Sequence, residues 1–118
     1  GKLTPEDAAL PSRVKVVLDR DGYALYFSRS RIPSSGPALL HLGLYGFRRD
    51  FLKKAARLSP TPLSEAERLE QLRILEHGYR IRVGVTTIKN FGGIDTPADY
   101  QAFVGRWTHR RATRSICP

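Results

Sequence analysis

Asp95 follows Gly92-Gly93-Ile94 and stands directly before Thr96-Pro97. Glycine lets a main chain pass close to a ligand, and the position before a helix cap lies within reach of the positive end of the helix dipole. A carboxylate there can give Mg²⁺ one of the one or two protein oxygens that this hard cation usually takes. It can equally help to cap the helix that opens at Thr96. His41 and Tyr45 are four residues apart. On a strand they share a face with Leu39 and Gly43, opposite Leu40, Leu42 and Leu44. A face carrying His and Tyr can hydrogen-bond sugar hydroxyls; a half-buried His packed beside a Tyr is the alternative. Glu70 and Gln71 sit between Leu69 and Leu72. Neighbours on a helix point about 100° apart, so they either border a pocket one or two at a time or form a solvated face.

The elements that must position these groups read as an α/β order. Val14 to Leu18 and Tyr23 to Phe27 are predicted strands, joined by the turn signal Asp19-Arg20-Asp21-Gly22. Ser34-Ser35-Gly36-Pro37 is a loop. Leu39 to Phe47 reads as a buried strand and Asp50 to Leu58 as a short basic helix. After the break at Ser59-Pro60-Thr61-Pro62, Ser64 and Glu67 have the spacing of a capping box. Leu69, Leu72 and Leu75 supply that helix with an apolar face, and Gly78 stops it. Tyr79 to Val85 alternates as a half-buried strand does. Thr96 then caps a last helix with Pro97 in its first turn and Asp99 near its positive end, expected to run to about Trp107. The opening βαβ units of a nucleotide-binding sheet are not among these elements.

At 118 residues the chain is one domain or part of a larger one, able to bury roughly 65% of its unfolded surface. Its 41% hydrophobic content fits a globular protein. No apolar run approaches the ~20 residues of a membrane span; neither a secretory leader nor a membrane partner is expected, and a cytoplasmic location is. Cys117 is the single cysteine, which excludes an intrachain disulfide and a thiolate metal cluster. The net charge of +9 gathers at Arg106 through Arg114 and at Arg48-Arg49 with Lys53-Lys54. Such charge attracts polyanions, but the basic tail offers only Trp107 as an aromatic and no recognisable nucleic-acid module. A solvated tail and helix face are expected, not a nucleic-acid partner.

Four segments occur in a characteristic order: Val14-Lys15-Val16-Val17-Leu18-Asp19 through Pro33, His41-Leu42-Gly43-Leu44-Tyr45, Glu67-Arg68-Leu69-Glu70-Gln71-Leu72-Arg73, and Gly93-Ile94-Asp95-Thr96-Pro97. Together they resemble the C-terminal half of the CMP-Kdo synthetases, which activate 3-deoxy-manno-octulosonate (Kdo) with CTP to give CMP-Kdo and pyrophosphate for lipopolysaccharide synthesis. The resemblance implies the C-terminal half of a mixed-sheet, nucleotide-diphospho-sugar transferase-like α/β fold. Residues 1–108 would form its sugar-binding and dimerisation part and residues 109–118 a basic tail. It implies Kdo contacts at His41, Tyr45, Glu70 and Gln71, with Arg29 near the substrate, and a metal-binding carboxylate at Asp95 for Mg²⁺. It also implies a homodimer formed through the hairpin Val14 to Ser28. Departures are Leu40 where the family carries a basic residue, and the short Ser34-Ser35-Gly36-Pro37 after Ile32-Pro33. The family's Gly- and Arg-rich CTP loop does not precede Val14, and the sequence holds no Met. A fragment or decayed reading frame, catalytically silent by itself, is therefore expected. A non-catalytic oligomerisation or regulatory module derived from the family is the alternative.

Overall fold

The computed structural model describes residues 2–87 and 96–114. In chain order these build β1 (Lys2–Leu3), α1 (Pro5–Ala9), β2 (Lys15–Leu18), β3 (Ala24–Ser28), β4 (Ala38–Leu40), α2 (Arg49–Ala55), α3 (Pro62–Glu67), α4 (Gln71–Glu76) and α5 (Pro97–Arg114). They fall into two compact units, Gly1–Ile88 and Lys89–Pro118.

The expected hairpin is built from its turn outward. Asp19 takes the N–H groups of Asp21 and Tyr23 on one carboxylate oxygen, both at 2.9 Å, and gives its own N–H to Tyr23 O at 2.8 Å. Gly22 closes the turn at φ 83°, a left-handed conformation that costs glycine no Cβ clash. β2 and β3 then pair antiparallel, with Val16 opposite Phe27 and Lys15 opposite Ser28. β4 lies on the other side of β2, placing Leu39 opposite Val16, and β1 pairs outside β4. The strand order is β1-β4-β2-β3, and every ladder among the described residues is antiparallel. β1 and α1, with Thr4 capping the latter through Asp7 N–H at 3.2 Å, are additions to the sequence reading.

Val16, Ala24 and Phe27 of the sheet pack on Leu69 and Leu72 to form the core, with Leu39, Leu75, Ile81 and Val83 around it. Burying a side chain such as Phe27 or Leu72 stabilises by about 1.5–3 kcal/mol.

Three expectations are corrected. The predicted strand Leu39 to Phe47 ends at Leu40; residues 41–48 are irregular, Gly43 turns to φ 72°, and Leu44 is 91% exposed. No strand among the described residues lies alongside that stretch, so its β pattern has nothing to pair with. Tyr79 to Val85 likewise contributes only a bridge, Tyr23 to Arg82, flanked by Ala24 N–H to Ile81 O and Val83 N–H to Gly22 O, each 2.9 Å. The predicted helix from Ser64 is two helices. The cap lies one turn earlier: the Ser64 hydroxyl accepts Thr61 N–H at 2.9 Å and donates to Thr61 O at 2.8 Å, with Pro62 in the first turn. Arg68 then adopts φ 54° and ends α3. That break keeps both Leu69 and Leu72 in the core and frees Glu67 from any capping role.

α4 ends as Gly78 requires. Gly78 N–H reaches Leu75 O and Tyr79 N–H reaches Ile74 O, both 3.0 Å, with Gly78 at φ 86°, the paired bonds of a Schellman stop. In the second unit Thr96 and Asp99 cap α5 reciprocally: Thr96 Oγ1 accepts Asp99 N–H at 3.1 Å, and Asp99 accepts Thr96 N–H at 3.0 Å. The helix continues past Trp107 to Arg114. No helix among the described residues is long and apolar enough to cross a membrane.

Candidate functional site

Where β4 leaves the sheet, the chain opens a cleft of about 730 Å³ within the first unit. One wall comes from residues 39–48 and the other from residues 79–86, with Phe27 and Ile74 between them. A row of rings runs along it. Phe27 meets His41 edge-on with centroids 5.1 Å apart; Tyr45 follows at 5.4 Å, Phe47 at 6.0 Å, Phe51 at 6.2 Å and Tyr79 at 4.9 Å.

His41 and Tyr45 therefore come together, though not as neighbours along one strand face. His41 is anchored by its N–H to Val14 O at 2.9 Å, and the chain beyond bends so that Tyr45 Oη lies 2.7 Å from His41 Nε2. Burial lowers the His41 pKa and pushes the Tyr45 phenol up to about 12. At neutral pH the pair is thus an uncharged imidazole bonded to an intact phenol. It can give and take hydrogen bonds with hydroxyl or carboxyl oxygens. At the tip of the hairpin, Arg80 and Arg82 lie 3.6 Å and 5.2 Å from the Tyr23 ring centre. The lining carries these arginines and Arg48 but no carboxylate; Arg80 already lies 3.9 Å from the Asp19 carboxylate, so Arg82 and Arg48 are the charges that favour an anionic occupant.

The other residues singled out by the sequence lie elsewhere. Glu70 is exposed at the start of α4. Gln71 is half-buried, and its Nε2 has no hydrogen-bond partner among the described residues; neither residue lines the cleft. Arg29 turns inward on main-chain carbonyls: Nε on Glu67 O at 3.2 Å, and the terminal nitrogens on Pro11 O and Arg68 O at 3.4 Å each. Asp95 lies outside the described residues. Among those described, no group of three or more His, Cys, Asp or Glu side chains could hold a metal ion.

Sequence reasoning missed a second polar cluster, which carries structure rather than the cleft. The Glu67 carboxylate accepts from Ser28 Oγ at 2.8 Å, Tyr26 Oη at 3.1 Å and Arg29 N–H at 3.1 Å. Burial pushes its pKa up, but these donors and the Arg29 charge outweigh burial and hold it below the usual carboxylate range. Lys15 is fully buried, its ammonium donating to Leu10 O at 2.9 Å and to Arg29 O. Burial and then Arg29 lower its pKa against the opposing pull of Glu67. A single Lys in an apolar strand and a Glu one turn after Ser64 gave no sign of this from sequence.

Comparison with known proteins matches residues 2–81 to the family described as Cytidylyltransferase. The chain is 48% identical over 114 residues to the 3-deoxy-manno-octulosonate cytidylyltransferase of Geobacter metallireducens, covering 83% of this chain and 44% of that protein. It is 47% identical over 107 residues to the mitochondrial 3-deoxy-manno-octulosonate cytidylyltransferase of Arabidopsis thaliana, covering 84% and 37%. Among solved structures it superposes on a CMP:2-keto-3-deoxy-manno-octonic acid synthetase complexed with CTP, with TM-score 0.83 and 36% identity over 92% of this chain and 47% of that one. The α/β fold is thus that of a nucleotidyltransferase. The chain spans less than half the length of the curated relatives it matches.

Proposed function

The chain belongs to the cytidylyltransferase family, and from that premise we propose that its residues supply the sugar-holding part of an enzyme that joins CTP to Kdo, forming CMP-Kdo and pyrophosphate. The observation that supports this reading is the His41–Tyr45 pair, 2.7 Å apart, in a ring-lined cleft without carboxylates. A neutral His and an un-ionised Tyr suit the hydroxyls of a sugar, and the arginines around the cleft suit its carboxylate. Gln71 adds an amide nitrogen with no partner among the described residues. A buried donor left unmade costs about 1–3 kcal/mol, which a bound sugar or an adjoining segment would offset.

In this reading the chain binds and orients the acceptor. His41 and Tyr45 hold hydroxyls of Kdo in the cleft; Glu70 and Gln71, outside its lining, would touch only a part of the sugar that extends beyond it, and Arg29 fixes the hairpin and α3 from behind. Holding the anomeric hydroxyl in line with the α-phosphorus is the contribution that positioning makes to such a transfer. The candidate for a magnesium site is Asp95, an oxygen donor of the type Mg²⁺ prefers, and the ion, when bound, would orient the triphosphate and offset its charge. CTP-binding groups are not supplied by these residues, and self-association through the hairpin of β2 and β3 belongs to the same proposal.

The test is a titration of the 118-residue chain with Kdo, followed by NMR signals of the His41 ring and the Tyr45 ring. Saturable shifts at both, weakened about tenfold or more by Tyr45→Phe and absent with a neutral hexose, are expected. CTP should leave the same signals unmoved, and pyrophosphate release from CTP, Kdo and Mg²⁺ should stay at background. Kdo that shifts neither ring, or turnover by these residues alone, overturns the reading.

A further inference from the structure

β3 stands at one end of the strand order, and the chain from α3 to α4 closes on both of its faces. Tyr26 and Ser28 point to one face and Phe27 to the other, as alternate residues of a strand do. Glu67 Oε1 accepts from the Tyr26 and Ser28 hydroxyls, and Oε2 accepts the Arg29 N–H. On the second face Leu69 and Leu72 pack with Phe27 in the core. Between the two grips stands Arg68 at φ 54°. The Arg29 side chain fastens that turn through the carbonyls of Glu67 and Arg68.

The strand gripped in this way leads to the cleft by two routes. Phe27 meets the His41 ring edge-on at 5.1 Å. Ser28 lies opposite Lys15 and Lys15 opposite Leu40, while Val14 O, beside Lys15, takes the N–H of His41 at 2.9 Å. His41 in turn is the hydrogen-bond partner of Tyr45. Ring and main chain of His41 are thus both set from the end of β3 that Glu67 holds, although Glu67 lines no part of the cleft. We infer that Glu67 is a positioning residue for the cleft: through Phe27 and Ser28 it sets where the His41 ring stands, and with it the His41–Tyr45 pair. For the identity of the ligand this rests on the Kdo reading above; for the coupling it rests on these contacts alone. Without the carboxylate, Tyr26, Ser28 and Arg29 lose a shared acceptor and this end of β3 moves. Close-packed interiors pass such a movement on to their neighbours, and the neighbour of Phe27 in the cleft is His41.

The experiment compares Glu67→Ala with the unchanged 118-residue chain by NMR, reading only the signals of folded molecules, so that a loss of stability by itself moves nothing. The His41 ring signals should be displaced and the cross-relaxation between the Phe27 and His41 rings weakened, without any ligand. Kdo affinity should fall about fivefold or more, the size of an ordinary coupling between two sites. Ser28→Ala, which removes one donor and keeps the carboxylate, should move the same signals less, and it decides the matter if Glu67→Ala does not fold. Thr4→Ala, which loses only the cap of α1, should lower stability and leave the ring signals and Kdo affinity alone. Unmoved His41 signals in Glu67→Ala, or equal displacement in Thr4→Ala, overturn the inference. So does Glu67→Ala that binds Kdo as tightly as the unchanged chain, a result that leaves the sugar reading standing. An unchanged chain that binds no Kdo removes the sugar reading, and the ligand-free ring signals then decide whether Glu67 places His41.

Discussion

Glu67→Gln separates two opposed forces on one carboxylate. Glu67 ends α3, the negative end of a helix dipole, where a carboxylate is unfavourable by about 0.3–1 kcal/mol. Against this stand three donors, Ser28 Oγ at 2.8 Å, Tyr26 Oη at 3.1 Å and Arg29 N–H at 3.1 Å. Hydrogen bonds to a charged group contribute about 1.5–3 kcal/mol each and neutral ones about 0.5–1.5. Glutamine keeps one acceptor oxygen but turns an amide N–H₂ towards a donor, losing one charged bond and weakening two. After relief of the dipole term, a net loss of about 2–4 kcal/mol at pH 7 is expected. The pH dependence fixes the cause. The folded Glu67 pKa lies below its ordinary value, so its contribution is complete above the unfolded pKa, about 4.3, and disappears as pH falls through the folded pKa. The variant has no such group, and the difference between the two proteins should shrink as pH drops from about 5 towards 2. Urea unfolding followed by circular dichroism at steps of pH measures both. A loss below about 0.5 kcal/mol at pH 7, the size of a surface substitution, would refute the argument. So would a gap that stays constant with pH.

Leu72→Ala empties a fully buried position on α4 that packs on the sheet and should cost about 2–5 kcal/mol, read as a lower urea midpoint. Gly78→Ala forces a Cβ onto a residue at φ 86° and should destabilise by about 1 kcal/mol or more, by the same measurement. Protonation of His41 is opposed by burial, so stability should fall as pH drops below about 6.5, where the unfolded imidazole gains its proton first; His41→Gln should flatten that slope. In a complete enzyme carrying these residues, Asp95→Asn is expected to abolish turnover across a Mg²⁺ titration with the melting temperature nearly unchanged; near-normal turnover would leave Asp95 as a helix cap.

Features set by adjacent residues were legible. The Asp19 to Gly22 turn, the Thr96 cap and the Gly78 stop each follow from a few neighbouring side chains, and all three are present as read. Features set by distant partners were not. Residues 41–47 carry a strand's alternation, but a ladder needs a second strand, and nothing in that stretch says where one is. Arg68 in a left-handed conformation runs against the steric preference of every residue with a Cβ. It is held by contacts more than thirty residues away in sequence, among them Arg29 on the carbonyls of Glu67 and Arg68. The four-residue spacing of His41 and Tyr45 identified a pair that does meet, although a bend in the chain rather than a strand face brings it together. Charged residues read as surface by default, which hid Lys15, while the capping-box spacing pointed Glu67 to the helix start instead of to Tyr26, Ser28 and Arg29.

The burial of Lys15 makes its amine a clock. Lys53 and Lys54 on α2 are exposed and would meet an acylating reagent at once. The Lys15 nitrogen is enclosed by the carbonyls of Leu10 and Arg29 and can be labelled only when the segment after α1 parts from the hairpin. The rate at which a mild acylating reagent marks that single site therefore reports how often these two stretches separate. No engineered probe is needed to read it.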